Sequence, residues 1–279
     1  MSVISIETRK ANELAATSDI GDSSIFMVHD GTGLKRIAFE DVKKAMVYPN
    51  AGSHNSIYRG KNLGSTVTQA QYSAIRNGTF ENLFIGDYWT INNINYRIAA
   101  FDYFYNTGDT LCTTHHVVVV PDQCLYNAKM NDTDTTQGGY VGSSMYRTGL
   151  VNAKSQIRSI FANHVMSHRM YLINAVSNGV NSGGAWFDSD VNLMSEQMVY
   201  GGPVFMPMSN GTLIPNNYVV DKSQLPLFNH NHLLIGNGST WWLRTITSNT
   251  AYSSVFQYGN SSSNGANIEF GVRPFFCIS

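Results

Sequence analysis

Apolar positions along the chain change their period several times, and each change marks a new element. Residues 20–29 end in a short apolar run (Ile25, Phe26, Met27, Val28), which Asp30-Gly31-Thr32-Gly33 turns into a second strand over residues 34–39. Phe39, Val42, Ala45 and Met46 then recur at helical spacing, with Glu40 and Asp41 in the first turn, where the helix dipole favours acids. Residues 1–47 therefore read as a hairpin and helix too small to bury much apolar surface alone. Such a unit packs against copies of itself or against a larger partner. Residues 48–65, rich in Gly, Ser, Asn and Pro, read as a linker. A short helix over residues 68–77 follows, opened by a Thr68/Gln71 capping box and closed by Gly78. The stretch 48–79 is thus a linker plus a helix.

A larger domain spans residues 80–279. Residues 84–101 contain a hairpin turned by Asn92-Asn93, since Asn tolerates left-handed backbone angles. Val117, Val118, Val119 and Val120 form a continuous apolar run closed by Pro121, the pattern of a buried central strand. Residues 138–142 read as a loop. Leu150, Ile157, Ile160 and Phe161 suit a helix over 150–162, and Val191, Met194 and Met198 suit another, ended by Gly201-Gly202. Residues 203–234 are loop-rich. Few helices, short strands and long connections define an α+β fold.

The last forty residues break the apolar pattern. Trp241, Trp242, Leu243 and Arg244 lead into a stretch (245–269) whose only charge is Glu269 and in which 15 of 25 residues are Asn, Ser, Thr or Tyr. Phe270, Val272, Phe275, Phe276 and Ile278 then restore a strand-like run. So polar an insert is expected on the surface, held by aromatic anchors on either side. Its residue types are those of adaptable binding loops.

Composition narrows the class. Hydrophobic residues make up 43% of the 279, enough for a core, while charged residues are only 13%. That profile suits a β-rich protein acting outside the cytosol or in a virus particle. With a net charge of −1 and no basic stripe, nucleic acid is not an expected partner. No run reaches the length of a membrane span, and the N-terminus lacks a signal-peptide core, so release by lysis is the expected route outward. Cys112, Cys124 and Cys277 read as free thiols rather than a disulfide framework.

Two resemblances give these patterns a context. AATSDIGDSSIFMVHDGTGLKRIAFEDVKKAM, at residues 15–46, resembles the short anchoring module that opens many bacteriophage tail-fibre and baseplate proteins. That resemblance implies attachment of a homotrimeric appendage to other tail or baseplate proteins. From residue 57 onward, YRGKNLG (58–64), GTFENLFIGDYWTI (78–91), YNAKMN (126–131), GGYVGSSMY (138–146), MVYGGPVF (198–205), DKSQLPLF (221–228), WWLR (241–244) and FGVRPFF (270–276) occur in order. Together they resemble a family of phages and prophages of gut bacteria. Its domain is similar to the C-type-lectin-like fold of phage tropism determinants and formylglycine-generating enzymes. The resemblance implies that the last strand, carrying Gly271-Val272-Arg273, pairs beside the opening hairpin of residues 89–98. It also implies that residues between WWLR and GVRP contact a bacterial surface receptor, glycan or protein. The candidates are Thr247, Asn249, Tyr252, Ser254, Phe256, Tyr258, Asn260, Ser262, Asn264 and Asn267. In some relatives this region is diversified by retroelements acting on Asn codons, and the surplus of Asn, Ser, Thr and Tyr fits that pattern.

Candidate chemistry is thin. His164 and His168 would share a helical face, but the acid of a zincin motif is missing. His115-His116 and His230-x-His232 lack Cys or carboxylate neighbours in sequence, and Asp132 with Asp134 lacks the Gly turn and closing Glu of a calcium loop. Asp188, Asp190 and Glu196 are the acids a glycosidase pair would need. Asp190 and Glu196 fit an ordinary helix cap and solvent-exposed positions instead. Arg244 and Arg273 read as buried partners of an acid or of backbone carbonyls, and Trp89, Trp186, Trp241 and Trp242 as core and rim. The reading is a non-enzymatic virion appendage without cofactor. It has no nucleic-acid partner and no membrane insertion. A head-fibre, collar or decoration protein and a polysaccharide-degrading tail enzyme are the alternatives.

Overall fold

The computed structural model describes residues 24–46, 48–206 and 223–279, and the chain divides into two units, Met1–Tyr48 and Pro49–Ser279. The first part of the anchoring motif and the start of DKSQLPLF lie outside the described residues. In the first unit, β1 (Ile25–His29) and β2 (Leu34–Ala38) pair antiparallel, with Ile25 opposite Ala38 and His29 opposite Leu34. The turn is built by Asp30, whose Oδ1 accepts from Thr32 N at 3.0 Å, Gly33 N at 3.2 Å and Thr32 Oγ1 at 2.7 Å. Helix α1 (Phe39–Met46) follows directly, and the Phe39 ring lies 5.5 Å from that of Phe26. Ile25, Met27 and Leu34 share the opposite face of the hairpin and are exposed.

In the second unit the stretch expected to be a linker is built into the structure. Helix α2 (Ala51–Asn55) buries His54, whose Nδ1 donates to Leu83 O at 2.6 Å. The Asn55 amide pairs with Phe101 in both directions, at 2.9 and 2.8 Å. Residues 57–64 then run beside the first large sheet, with Arg59 N donating to Ile85 O and Thr90 N to Gly64 O. The Arg59 guanidinium forks onto Asp87, a fully buried carboxylate. A polar, Gly-rich sequence looks like a linker, yet here its main chain covers a sheet edge. Helix α3 (Gln69–Arg76) has the expected Thr68/Gln71 capping box, and Gln71 Oε1 also accepts from the buried Trp89 indole at 3.0 Å.

The expected hairpin is β3 (Tyr88–Ile91) and β4 (Ile94–Phe101), turned at Asn92 and Asn93 with φ of 51° and 63°. The valine run is β5 (Val117–Pro121), buried throughout. Next come β6 (Tyr126–Lys129) and α4 (Gly139–Gly142), a short helix where a loop was expected. Helix α5 (Val151–Phe161) follows, then β7 (Val165–Met166). A long hairpin comes next, β8 (His168–Ser177) with β9 (Val180–Ser189), turned by Asn178 and Gly179 at φ of 52° and 76°. Two left-handed residues in a two-residue turn match the twist of antiparallel strands.

The helix expected through Val191 and Met198 is instead a strand and a short helix. These are β10 (Val191–Leu193) and α6 (Glu196–Tyr200), capped by Ser195 and ended by Gly201 at φ 78°. Helix α7 (Pro226–His230) leads to the last strands: β11 (Trp241–Ile246), β12 (Ala251–Val255), β13 (Ser261–Gly265), β14 (Glu269–Val272) and β15 (Pro274–Ile278).

These strands make an α+β body with two larger sheets. One runs β10-β15-β5-β4-β3, with β7 also pairing β15; the other runs β13-β12-β11-β14-β6. The last strand therefore does not lie beside the opening hairpin, because β5 sits between β15 and β4. Four consecutive valines demand apolar cover on both faces, which only an interior position supplies. The chain crosses from one sheet to the other at Gly271-Val272-Arg273. A Cβ on Gly271 would meet Cys124 Sγ at 2.3 Å, so only glycine fits. Arg273 is buried and acts as expected on backbone carbonyls. It donates to Pro121 O (2.8 Å), Leu234 O (3.0 Å) and Ile235 O (3.2 Å), with its guanidinium 5.0 Å from the Trp241 ring. Burial pulls its pKa down to about 10.

Candidate functional site

The polar stretch before β15 is not a solvated insert. It forms β12, β13 and the turns around them, and its hydroxyls and amides satisfy one another. Tyr252 and Ser254, expected on the surface, are buried, along with Ser253. Tyr252 donates to Gly139 O at 3.1 Å, and burial raises its pKa. Asn264 donates to Ser254 Oγ at 2.8 Å and Ser262 Oγ at 3.1 Å, tying β13 to β12. Thr247 Oγ1 shares a 2.6 Å hydrogen bond with Ser263 Oγ. Asn249 is exposed, but its side chain accepts from Gly179 N at 2.6 Å and so fastens the tip of the β8–β9 hairpin to the β11–β12 turn. Asn267, also exposed, uses its backbone N–H to reach Asp134 Oδ1 at 3.1 Å.

The remaining candidates gather at the turn between β12 and β13. Phe256 is 44% exposed and Tyr258 78%, with ring centroids 5.9 Å apart, and Asn260 is exposed beside them. The turn is held through its main chain. Phe256 N donates to Asn260 O (2.7 Å) and Gly259 N to Phe256 O (2.8 Å). From outside the hairpin, Gly238 N donates to Gln257 O (3.1 Å) and the Tyr200 hydroxyl to Gly259 O (3.0 Å). Gly236 lies so close that an added Cβ would stand 2.7 Å from the Tyr258 carbonyl carbon.

Beneath the turn lies Glu196, a fully buried carboxylate rather than the solvent-exposed helix residue expected. Its oxygens accept from Val204 N (2.8 Å), Phe205 N (3.0 Å) and Met206 N (3.1 Å), and from the Ser253 and Ser261 hydroxyls (2.7 and 3.4 Å). Charged hydrogen bonds of this kind compensate the burial of a carboxylate. Glu196 thus binds α6, β12, β13 and residues 204–206 together. Nothing linear marks it: its donors stand up to 10 residues ahead and again 57 and 65 residues away.

The other candidates do not converge. His164 lies at the end of a 3₁₀ turn, stacks on Tyr72 at 3.4 Å and reaches Ser279 O at 2.8 Å, whereas His168 is in β8, so no helix face joins them. His115 does have a carboxylate neighbour, Asp102, at 2.7 Å, supplied by a residue thirteen positions earlier. His116 Nε2 accepts from Phe104 N at 3.1 Å, and His230 Nε2 donates to Asn55 O at 2.9 Å. Asp188 pairs with Arg169 (3.1 Å), and Asp190 with Arg158 (2.6 Å) and Lys154 (3.2 Å). Burial opposes ionisation of Asp190, but Lys154, the Val191 N–H and Arg158 outweigh it and hold its pKa below the usual range. Arg244 donates to Leu193 O at 2.9 Å from a buried position. Among the described residues no cluster of three or more His, Cys, Asp or Glu is placed to hold a metal, and all three cysteines are free thiols.

Comparison with known protein families, characterised proteins and solved structures found no match for this chain. Among the described residues no helix is long and apolar enough to cross a membrane.

Proposed function

We propose that the chain is a non-enzymatic bacteriophage virion appendage protein that adheres to the host cell surface through the β12–β13 turn. In this reading residues 1–47 dock a homotrimer onto other tail or baseplate proteins, and the larger unit is a C-type-lectin-like receptor-binding body. The observation that carries it is the division of labour in the polar stretch. Tyr252, Ser254 and Asn264 hold the sheet, while Phe256, Tyr258 and Asn260 stand in solvent on a main chain fixed from outside. Exposed aromatics on a rigid turn supply contact area at low entropic cost. Several copies on one particle would multiply a weak contact. The open apolar face of Ile25, Met27 and Leu34 supports a role for the first unit in assembly.

The test is adsorption of the purified full-length protein to a panel of bacterial cells, wild type against a Phe256→Ala, Tyr258→Ala double variant. The variant is expected to keep the wild-type melting transition and to lose cell binding. Equal binding by both proteins would overturn the assignment of the turn. Absence of binding to every cell offered, together with incorporation into particles, would move the protein to a structural role in the virion.

A further inference from the structure

The charge pattern around the turn narrows its ligand. From residue 223 to residue 268 the only formally charged side chain is Arg244, and it is buried against Leu193 O. Glu196, below the turn, is fully buried and occupied by five donors. Apart from the buried Arg244 on β11, the charged residues of this sheet stand at its other edge, where Glu269 on β14 faces Lys129 on β6. Asp134 lies beside Gly265, at the end of β13 away from the turn, where it accepts from Asn267 N. What the turn presents is two aromatic rings and the carboxamides of Gln257 and Asn260.

An anionic ligand, such as a uronate- or phosphate-bearing polymer, would be recognised by Arg or Lys in charge-assisted pairs, and among the described residues the turn and the segments that hold it, 235–239 and Tyr200, carry none. A protein partner would ordinarily be met with charges at the rim, which steer encounter and reject wrong partners. A neutral sugar needs neither. Its C–H faces stack on exposed rings, and its hydroxyls exchange hydrogen bonds with carboxamides and hydroxyls. Resting on the adhesion reading above, we infer that the β12–β13 turn binds a neutral polysaccharide of the cell surface by stacking on Tyr258 and Phe256 and hydrogen bonding to Asn260, without any ion pair.

The experiment measures binding of the full-length protein to the panel cells that it adheres to, with three treatments. The cells are oxidised with periodate, which cleaves sugar diols, or digested with protease, or left intact and assayed from about 0.05 M to about 0.5 M salt. Binding should vanish after periodate, survive protease, and change less than about twofold with salt, since no charge pair is there to be screened. Tyr258→Ala should weaken binding about tenfold or more, and Tyr258→Trp, which keeps a stacking face, should restore it. Binding that survives periodate and is lost on protease digestion would overturn the inference in favour of a protein receptor and leave the adhesion reading standing. A steep loss of binding with salt would overturn it in favour of a charged ligand. Failure to bind any cell would overturn both.

Discussion

His168 offers a direct measurement of how the body is held together. Its ring is buried in β8, 3.9 Å from the Phe104 ring, and neither ring nitrogen has a hydrogen-bond partner among the described residues. Burial, with His116 and Arg244 acting in the same sense and Asp190 opposing, lowers its pKa from 6.5 to about 3. The folded protein therefore refuses a proton that the unfolded chain accepts. Stability from this residue is complete above pH 6.5, where both states are neutral, and is lost as pH falls towards about 3. The slope across that window is about 1.4 kcal/mol per pH unit, or about 5 kcal/mol in all, comparable to the whole stability of a modest domain. His54 and His116, whose pKa values burial also lowers, act in the same direction. Replacing His168 with Phe removes the titration and one unpaired N–H, which costs about 1–3 kcal/mol while it stays buried. The variant should be at least as stable as wild type at pH 7.5. Its urea-unfolding free energy should fall between pH 6 and pH 4 less steeply, by about 1.4 kcal/mol per unit. Parallel pH profiles for the two proteins would refute the reasoning.

Three further outcomes follow from the packing. Glu196→Ala strips the acceptor from three backbone amides and the Ser253 hydroxyl; it should cost about 3 kcal/mol in urea unfolding and speed amide exchange at Val204, Phe205 and Met206. Gly271→Ala drives a methyl into Cys124 Sγ and should cost about 3 kcal/mol, part of which Cys124→Ala recovers in the double variant, read by thermal unfolding. Cys277, buried and with its thiol pKa raised by that burial, should resist a thiol reagent in the native protein and react on unfolding. Cys112 and Cys124, half-buried and also raised by burial, should react slowly at neutral pH and faster as the solution becomes alkaline.

What the sequence reveals is what short-range physics determines. The Asn92-Asn93 turn, the Thr68/Gln71 capping box and the valine run of β5 each depend on neighbours within a few residues, and all three form as expected. The β8–β9 hairpin carries an equally local signal in Asn178-Gly179. It was hidden because Gly183 and Gly184 interrupt the alternation on β9, where the Tyr171 ring packs close against Gly184. Val191, Met194 and Met198 have helical spacing, but β10 finds a long-range partner in β15, and tertiary pairing overrides the local pattern. The polar stretch misleads for a different reason. Ser253 and Ser254 are poor core residues on any hydropathy scale. They are buried because Glu196 and Asn264, far away or across a turn, complete their hydrogen bonds. Composition cannot reveal partners.

The same distinction bears on the proposed recognition turn, which could change its side chains without endangering the sheet. Among the described residues every hydrogen bond that fixes the β12–β13 turn is made with a main-chain atom of the turn: Phe256 N, Gln257 O, Gly259 N, Gly259 O or Asn260 O. The groups that complete those bonds from outside, Tyr200 and Gly238, belong to other segments. Main-chain contacts are indifferent to the side chain that follows them, so Phe256, Gln257, Tyr258 and Asn260 can be exchanged with little effect on folding. Tyr252, Ser254 and Asn264 have no such freedom, because their side-chain oxygen or amide atoms are the structural bonds. A binding surface under pressure to change would therefore vary at four positions of the turn and remain constant on the strands beside it. The ten candidates read from the sequence divide along that line. Phe256, Tyr258 and Asn260 stand in solvent at the turn, and strand residues such as Tyr252, Ser254 and Asn264 hold the sheet beneath it.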